Sequence, residues 1–533
     1  MKLFKKLLSY IIAVTMVLSL ATLLGGKVYA ADTTPHVITI INAPSGRTYK
    51  AYQIFKGDYS DGTLSNIEWG DNVTPSTLLS KLKGDTTYFS GINDESSVRD
   101  VAEKMSSGED TAQAKAFAKY AEASKTGEGF ASTENTETKK TTITVTGSGY
   151  YLVEDTTDAS KQSSKNESYT RYIVKVVGGN TDINLKGNVP TVEKKVKDTN
   201  DSTGVTSDWQ DSADADINDK VDYQITGTMP SNIDDYDSYK YVFTDTMSKG
   251  LTYNANTTTI KIGNTDVKSS FKEVVTNNTD GSTTVTWTCN NLKGIDGVTL
   301  SAATTVVVNY KATLNENAVI GAAGNPNTVD LTYSNNPNKG GDGETGKTPK
   351  DKNIVFTYKT VFNKVDQDGG ALAGADFKLE KFINGQWSVL ADSKSNVKFN
   401  DEAIKSNEGK TFTFKGLDDG IYRLVETTTP DGYNTMKPLE FKITADHTND
   451  PATLELTSLT MEKMTALNDS NDQTLSNNVA GTESNGIMTT DVVNKSGSTL
   501  PSTGGMGTTL LYVAGGILVA CAAAYVVLNK KRA

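Results

Sequence analysis

Six side chains with reactive groups stand where strand alternation would turn them into dry interiors. In Tyr422-Arg423-Leu424-Val425-Glu426 a period of two puts Tyr422, Leu424 and Glu426 on one face. A carboxylate there is costly unless it has a partner or a task. Lys194 alternates with Val192 and Val196, which favours it over Lys195 as the inward amine. Lys364 shares parity with Phe362, Asp245 with Tyr241 and Phe243, and Asn494 with Val492. Asn327 shares its face with Val329, Leu331 and Tyr333. Burial disfavours charge, so a lysine in such a place loses its proton and becomes a nucleophile. A protonated carboxyl beside a carboxamide can polarise it and shuttle protons while ammonia leaves. The bland alternative is a lysine–carboxylate salt bridge beside an unrelated asparagine.

The elements that must position these groups lie between two terminal segments. Lys2, Lys5 and Lys6 precede an apolar run from Leu7 to Leu24, and Val28-Tyr29-Ala30 offers small residues for a signal peptidase. Residues 1–30 therefore read as a secretory signal peptide, with the mature chain starting at Ala31. At the other end Leu500-Pro501-Ser502-Thr503-Gly504 precedes an apolar stretch, Leu510 to Leu528, and then Asn529-Lys530-Lys531-Arg532-Ala533. At about 1.5 Å per residue that stretch reaches roughly the thickness of a bilayer core. Its basic end belongs in the cytoplasm. Removing both ends, with cleavage after Thr503, takes away seven positive charges and no negative ones, so the net charge falls from -11 to -18. Such acidity argues against nucleic acid as a partner and favours solubility outside the cell.

About 470 residues remain, too many for one core and suited to roughly three domains. Short alternating runs rich in Thr, Val, Tyr and Asn, punctuated by Gly, Asn and Asp, predict a mainly β fold of three tandem Ig-like β-sandwich domains. The first, 31–186, opens on His36-Val37-Ile38-Thr39-Ile40 and carries helical insertions. Thr74-Pro75 reads as N-cap and N1 before Leu78, Leu79 and Leu82, and Val98, Val101, Ala102 and Met105 recur at helical spacing. The second spans 187–352, its end marked by a linker-like stretch from Asn335 to Lys352. The third spans 353–499, and 500–533 form the terminal signal. Tyr150-Tyr151-Leu152-Val153-Glu154 in the first domain echoes the Glu426 segment in the third.

The C-terminal segment resembles the LPxTG cell-wall sorting signal of Gram-positive surface proteins, in which motif, helix and basic tail follow in this order. That resemblance implies that a sortase cysteine attacks the Thr503 carbonyl, Gly504 leaves, and the chain passes to an amine. The interior resembles Gram-positive pilins. Val425-Glu426-Thr427 followed by Pro430-Asp431-Gly432-Tyr433 looks like the glutamate box of collagen-adhesin B-type domains. Phe362-Asn363-Lys364-Val365-Asp366, Leu372-Ala373-Gly374-Ala375-Asp376-Phe377 and Asp491-Val492-Val493-Asn494 also fit that family. It implies a self-generated isopeptide bond between Lys364 and Asn494, assisted by Glu426. The second domain resembles the collagen-adhesin A-type, or fimbrial isopeptide-forming, domain, which implies Lys194–Asn327 assisted by Asp245, with Lys195 and Asn325 as rivals. The first domain has Glu154 but no lysine on its opening strand, and no bond is expected there.

Backbone pilins carry an acceptor lysine just before the second domain. Lys186, in Ile183-Asn184-Leu185-Lys186-Gly187-Asn188, has that position without the usual Tyr-Pro setting. The resemblance implies a shaft subunit joined through Thr503 to Lys186 of another copy by a class C sortase. A housekeeping sortase would then attach the fibre to peptidoglycan, with ancillary pilins alongside. The alternative is a monomeric wall-anchored adhesin or minor pilin binding a host or matrix ligand. An enzyme is least expected. The mature chain keeps one cysteine, Cys289, so no internal disulfide can form, and its only histidines are His36 and His447. No Ser-His-Asp, Cys-His or metal-ligand set assembles from so few. The acidic stretch Asp198 to Asp219 offers oxygen ligands without EF-hand spacing, and a solvated loop is expected. No cofactor or metal is assigned.

Overall fold

Alternation does build this molecule. The computed structural model describes residues 32–105, 110–138, 140–158, 165–340, 344–394, 404–464, 478–481, 484–497 and 506–530, and the fold is mainly β. The signal segment 1–30 and the residues Leu500, Pro501, Ser502, Thr503 and Gly504 lie outside the described residues. A helix spans Met506–Lys530, with side chains described over 510–525. Among the described residues no helix is long and apolar enough to cross a membrane. The expected span Leu510 to Leu528 is thus described only in part.

In the first module, strands Pro35–Ile41 and Lys140–Thr146 pair antiparallel, and Thr181–Asn184 joins Pro35–Ile41 in parallel. Strands Tyr49–Ser60, Gly149–Asp155 and Ile173–Val177 form the facing layer. Ile38, Ile40, Ile143, Val145 and Tyr151 fill the space between layers. The outer face of Tyr49–Ser60 is covered by helices Pro75–Gly84, Val98–Lys104 and Ala112–Glu122, which bring Leu78, Leu82, Val101 and Phe117 against Ile54 and Phe55. Thr74 stands at the N-cap before Pro75, but its side chain makes no capping bond. Ser97 and Asp100 cap the next helix reciprocally.

In the second module two sheets face each other. One runs Ser212–Asp214, Asp351–Phe356, Asn325–Ser334, Tyr241–Met247, Thr283–Cys289, Lys272–Asn277. The other runs Thr265–Asp266, Leu251–Ile262, Thr305–Leu314, Lys220–Thr228, Val192–Val196. The stretch read as a linker is instead sheet: Thr345–Lys347 and Asp351–Phe356 both pair with Asn325–Ser334. Asn336, Asn338 and Gly340 serve the turn at Pro337–Lys339, where Gly340 takes φ 68°. The third module pairs Tyr358–Asp366 with Thr411–Leu417 and, in parallel, with Ile487–Asn494. Opposite lies a sheet containing Asp376–Ile383, Gly420–Thr428 and Leu439–His447. Phe362, Phe377, Phe414, Leu424 and Phe441 pack between them.

Candidate functional site

The second module seals three of the reactive groups in its core. Lys194, Asp245 and Asn327 are each 0% exposed. Lys194 comes from the edge strand of one sheet, held by its pairing to Ile225, while Asp245 and Asn327 come from adjacent strands of the other. Lys194 Nζ donates to Asp245 Oδ1 at 2.8 Å and to the Tyr310 hydroxyl at 2.7 Å. Tyr310 donates to Asp245 Oδ2 at 2.5 Å and accepts from Asn327 Nδ2 at 2.7 Å. Burial pushes the Lys194 amine below its ordinary pKa against the pull of Asp245, and pushes the Asp245 carboxyl up. The two rivals stand elsewhere. Lys195 points outward into an ion pair with Asp211 at 2.9 Å. Asn325 spends its carboxamide on the backbone of Val319 and Val355. Tyr310 did not stand out in the sequence, because a tyrosine among core aromatics carries no signal of its own.

The third module builds its centre differently. Lys364 and Asn494 lie on neighbouring parallel strands of one sheet, and Glu426 reaches across from the other. Lys364 is 0% and Asn494 1% exposed. Asn494 Nδ2 donates to Glu426 Oε2 at 3.0 Å and to the Asn434 carbonyl at 2.7 Å. Glu426 Oε2 also accepts from the Met436 amide at 2.8 Å. Those partners come from the turn after Pro430, where Gly432 takes φ 83° and the chain bridges back to Ser496. Lys364 Nζ donates to the carbonyls of Val365 and Val492. Burial lowers its pKa to about 8, with Glu426 and Asp366 pulling the other way. In the first module, Glu154 pairs with Lys125.

Lys186 follows the last strand of the first module. Its side chain is one third exposed, and its amine pairs with Asp110 Oδ2 at 2.8 Å. Beside it opens a groove of about 360 Å³ lined in part by Ile41, Asn184, Leu185 and Gly187. Gly187 serves close packing: a Cβ there would lie 2.8 Å from Ser168 Oγ and 2.9 Å from the Tyr169 carbonyl.

The acidic stretch is a solvated loop only in part: 203–206 and Asp208 are exposed, whereas 211–217 are buried. Asp211, Asp214 and Asp216 are each 4% exposed, because the segment packs into the junction with the third module. Lys381, 0% exposed, donates there to Asp216 and Asp418 at 2.6 Å each and to Asp201 at 3.1 Å. These carboxylates and Asp219 bring oxygens within 4.8 Å of one another, as a metal site would. The cation among them is the chain's own ammonium, whose pKa they hold well up although burial opposes it. Ser212, His447 and Asp198 also meet at this junction, an arrangement the sequence reading had not assembled. Ser212 is 0% exposed and donates to the Thr448 carbonyl at 2.6 Å, so its hydroxyl ties modules together and faces no solvent.

Two stretches of the chain match known families. Residues 217–337 match the family described as Gram-positive pilin backbone subunit 2, Cna-B-like domain, and residues 359–460 match the SpaA prealbumin-like fold domain. The second and third modules are thus similar to Gram-positive pilin domains. The trypsin-resistant surface T6 protein of Streptococcus pyogenes serotype M6 is 29% identical over 328 residues, covering 57% of this chain and 54% of that protein. The match thus spans about half the length of that relative. Among solved structures, the T6 backbone pilin of S. pyogenes covers 89% of this chain and 100% of its own, at 17% identity and a TM-score of 0.48. The major pilin SpaD of Corynebacterium diphtheriae covers 87% of this chain and 98% of its own, at 15% identity and a TM-score of 0.45. In both matched modules a lysine, a carboxyl and an asparagine are buried in the core, by two different sheet geometries.

Proposed function

We propose that this protein is the backbone subunit of a sortase-assembled pilus, joined from the Thr503 carbonyl of one copy to the Lys186 amine of the next and attached at its base to peptidoglycan. Lys194–Asn327 and Lys364–Asn494 become intramolecular isopeptide bonds, with Asp245 and Glu426 as their assisting carboxyls. The observation that carries this reading is the complete burial of Lys194, Asp245 and Asn327 in one hydrogen-bonded group inside a domain similar to pilin-backbone domains. As a salt bridge Lys194 would cost desolvation that a pair of apolar residues would avoid. As a neutral amine beside a protonated carboxyl it is set to attack the asparagine carbonyl carbon. The chain then acts once on itself and is otherwise a substrate, of a class C sortase for polymerisation and a housekeeping sortase for anchoring. Ancillary pilins share the fibre.

The test is a denaturing-gel immunoblot of wall material released by muralidase from the native host, wild type beside Lys186→Arg. A high-mass ladder that survives boiling in wild type and collapses to monomer in the variant is expected. A ladder persisting in the variant would move the acceptor to another lysine. A single band in expressing wild-type cells would make the protein a monomeric wall-anchored adhesin.

A further inference from the structure

Condensing an amine with a carboxamide requires one proton to pass from the attacking nitrogen to the leaving nitrogen. In the second module a single hydroxyl touches both. The Tyr310 oxygen is 2.7 Å from Lys194 Nζ and 2.7 Å from Asn327 Nδ2, and its own proton goes to Asp245 Oδ2. Asp245 bonds Lys194 directly and meets Asn327 through this hydroxyl. The ring is fixed: Tyr223 stacks on it at 5.2 Å and 7°, and Tyr253 meets it edge-on at 5.6 Å. Tyr310 is 2% exposed, so bulk water is a poor substitute for it. In the third module the glutamate bonds the asparagine directly.

We propose that Tyr310 is a catalytic residue of the Lys194–Asn327 condensation, its hydroxyl carrying the proton from the nucleophilic to the leaving nitrogen. The inference rests on the reading that this bond forms. Asp245 first takes a proton from the Lys194 ammonium. Nζ then attacks Asn327 Cγ, the new C–N bond forms, and the carbonyl electron pair moves to Oδ1. With Asp245 protonated, Tyr310 is released from donating to it. Its oxygen accepts a proton from Nζ as its own proton moves to Nδ2. The carbonyl re-forms, the Cγ–Nδ2 bond breaks, and ammonia departs. Asp245 is left holding the proton that the ammonium gave up, so protons and charge balance without any other reagent.

The experiment follows the full chain during cell-free synthesis, with timed samples digested and the Lys194–Asn327 peptide pair, one ammonia lighter, measured by mass spectrometry. Tyr310→Phe keeps the ring and removes the hydroxyl. It should slow appearance of this pair by about a hundredfold, the lower range for a lost general acid–base group. The Lys364–Asn494 pair in the same molecules should form at the wild-type rate and report correct folding. Tyr253→Phe, which removes a neighbouring hydroxyl that touches neither nitrogen, should leave both pairs unchanged. Formation in Tyr310→Phe at the wild-type rate would overturn the relay while leaving the bond in place. Equal slowing by Tyr253→Phe would assign the effect to packing and also overturn it. Absence of the pair from wild type would overturn the bond itself.

Discussion

At the scale of single residues, a lysine, a carboxyl and an asparagine are set together in two ways. In the second module complete enclosure against aromatic rings lowers the pKa of the amine, with Lys194 Nζ 5.1 Å from the centres of both Tyr223 and Tyr310. In the third, Lys364 rests on two backbone carbonyls, and burial lowers its pKa to about 8. Its neutral fraction therefore grows tenfold per pH unit below that value and levels off above it. Formation of the Lys364–Asn494 pair in freshly made chain should accelerate from pH 6 to about 8 and then flatten. Timed mass spectrometry across that range checks it, and a rate indifferent to pH would mean that deprotonation of Lys364 does not limit the reaction. Parity alone put Lys194 inward and Lys195 outward, and the exposures are 0% for the first and an outward ion pair for the second. Tyr310 was invisible because its partners lie 116, 65 and 17 residues away in the chain.

At the scale of elements, the position of each bond matters more than its chemistry. Lys194–Asn327 would tie an edge strand of one sheet to an inner strand of the other. Tension entering near Pro190 and leaving after Asn327 would pass through that amide and bypass everything between. Single-molecule pulling should show no extension from residues 195–326 in wild type. Asn327→Ala should release them, adding roughly 450 Å at about 3.4 Å per residue. An identical trace from the variant would show that the bond does not bear load. Lys364–Asn494 would join adjacent parallel strands that share hydrogen bonds across eight residue pairs, Lys359–Asp366 against Ile487–Asn494. Pulled along their length, such strands load their hydrogen bonds together, so this bond backs up an interface already suited to shear.

At the scale of the whole molecule, the second and third modules are joined by more than chain continuity. Lys381, on the strand Asp376–Ile383, sits between Asp216 from the second module and Asp418 from the third, and lies 5.6 Å from the Tyr422 ring. Removing one partner of a buried ion cluster strands the others without compensation, at about 3–5 kcal/mol. Lys381→Met should cost that much in chemical denaturation at neutral pH and expose the junction to protease. Burial and the neighbouring Asp216 already push the Asp418 carboxyl up, so acidification should return part of the loss by protonating it. A variant as stable as wild type would mean that apolar packing alone holds the junction. A rigid junction suits a shaft subunit, since flexible joints between modules would let the fibre fold on itself.

The sequence by itself determined the β architecture, the inward parity of Lys194, Asp245, Asn327, Lys364, Glu426 and Asn494, and the placing of the helices on the first module, because these follow from local periodicity. Tertiary structure decided the rest. It wove the supposed linker into a sheet edge, buried part of the supposed solvated loop under a neighbouring module, and supplied Lys381 to neutralise it. It also gave Asn325 backbone partners and set the Tyr310 hydroxyl between the Lys194 and Asn327 nitrogens. Periodicity reports which way a side chain points. What it meets depends on strand order and register between segments far apart in the chain, and local alternation carries no record of either.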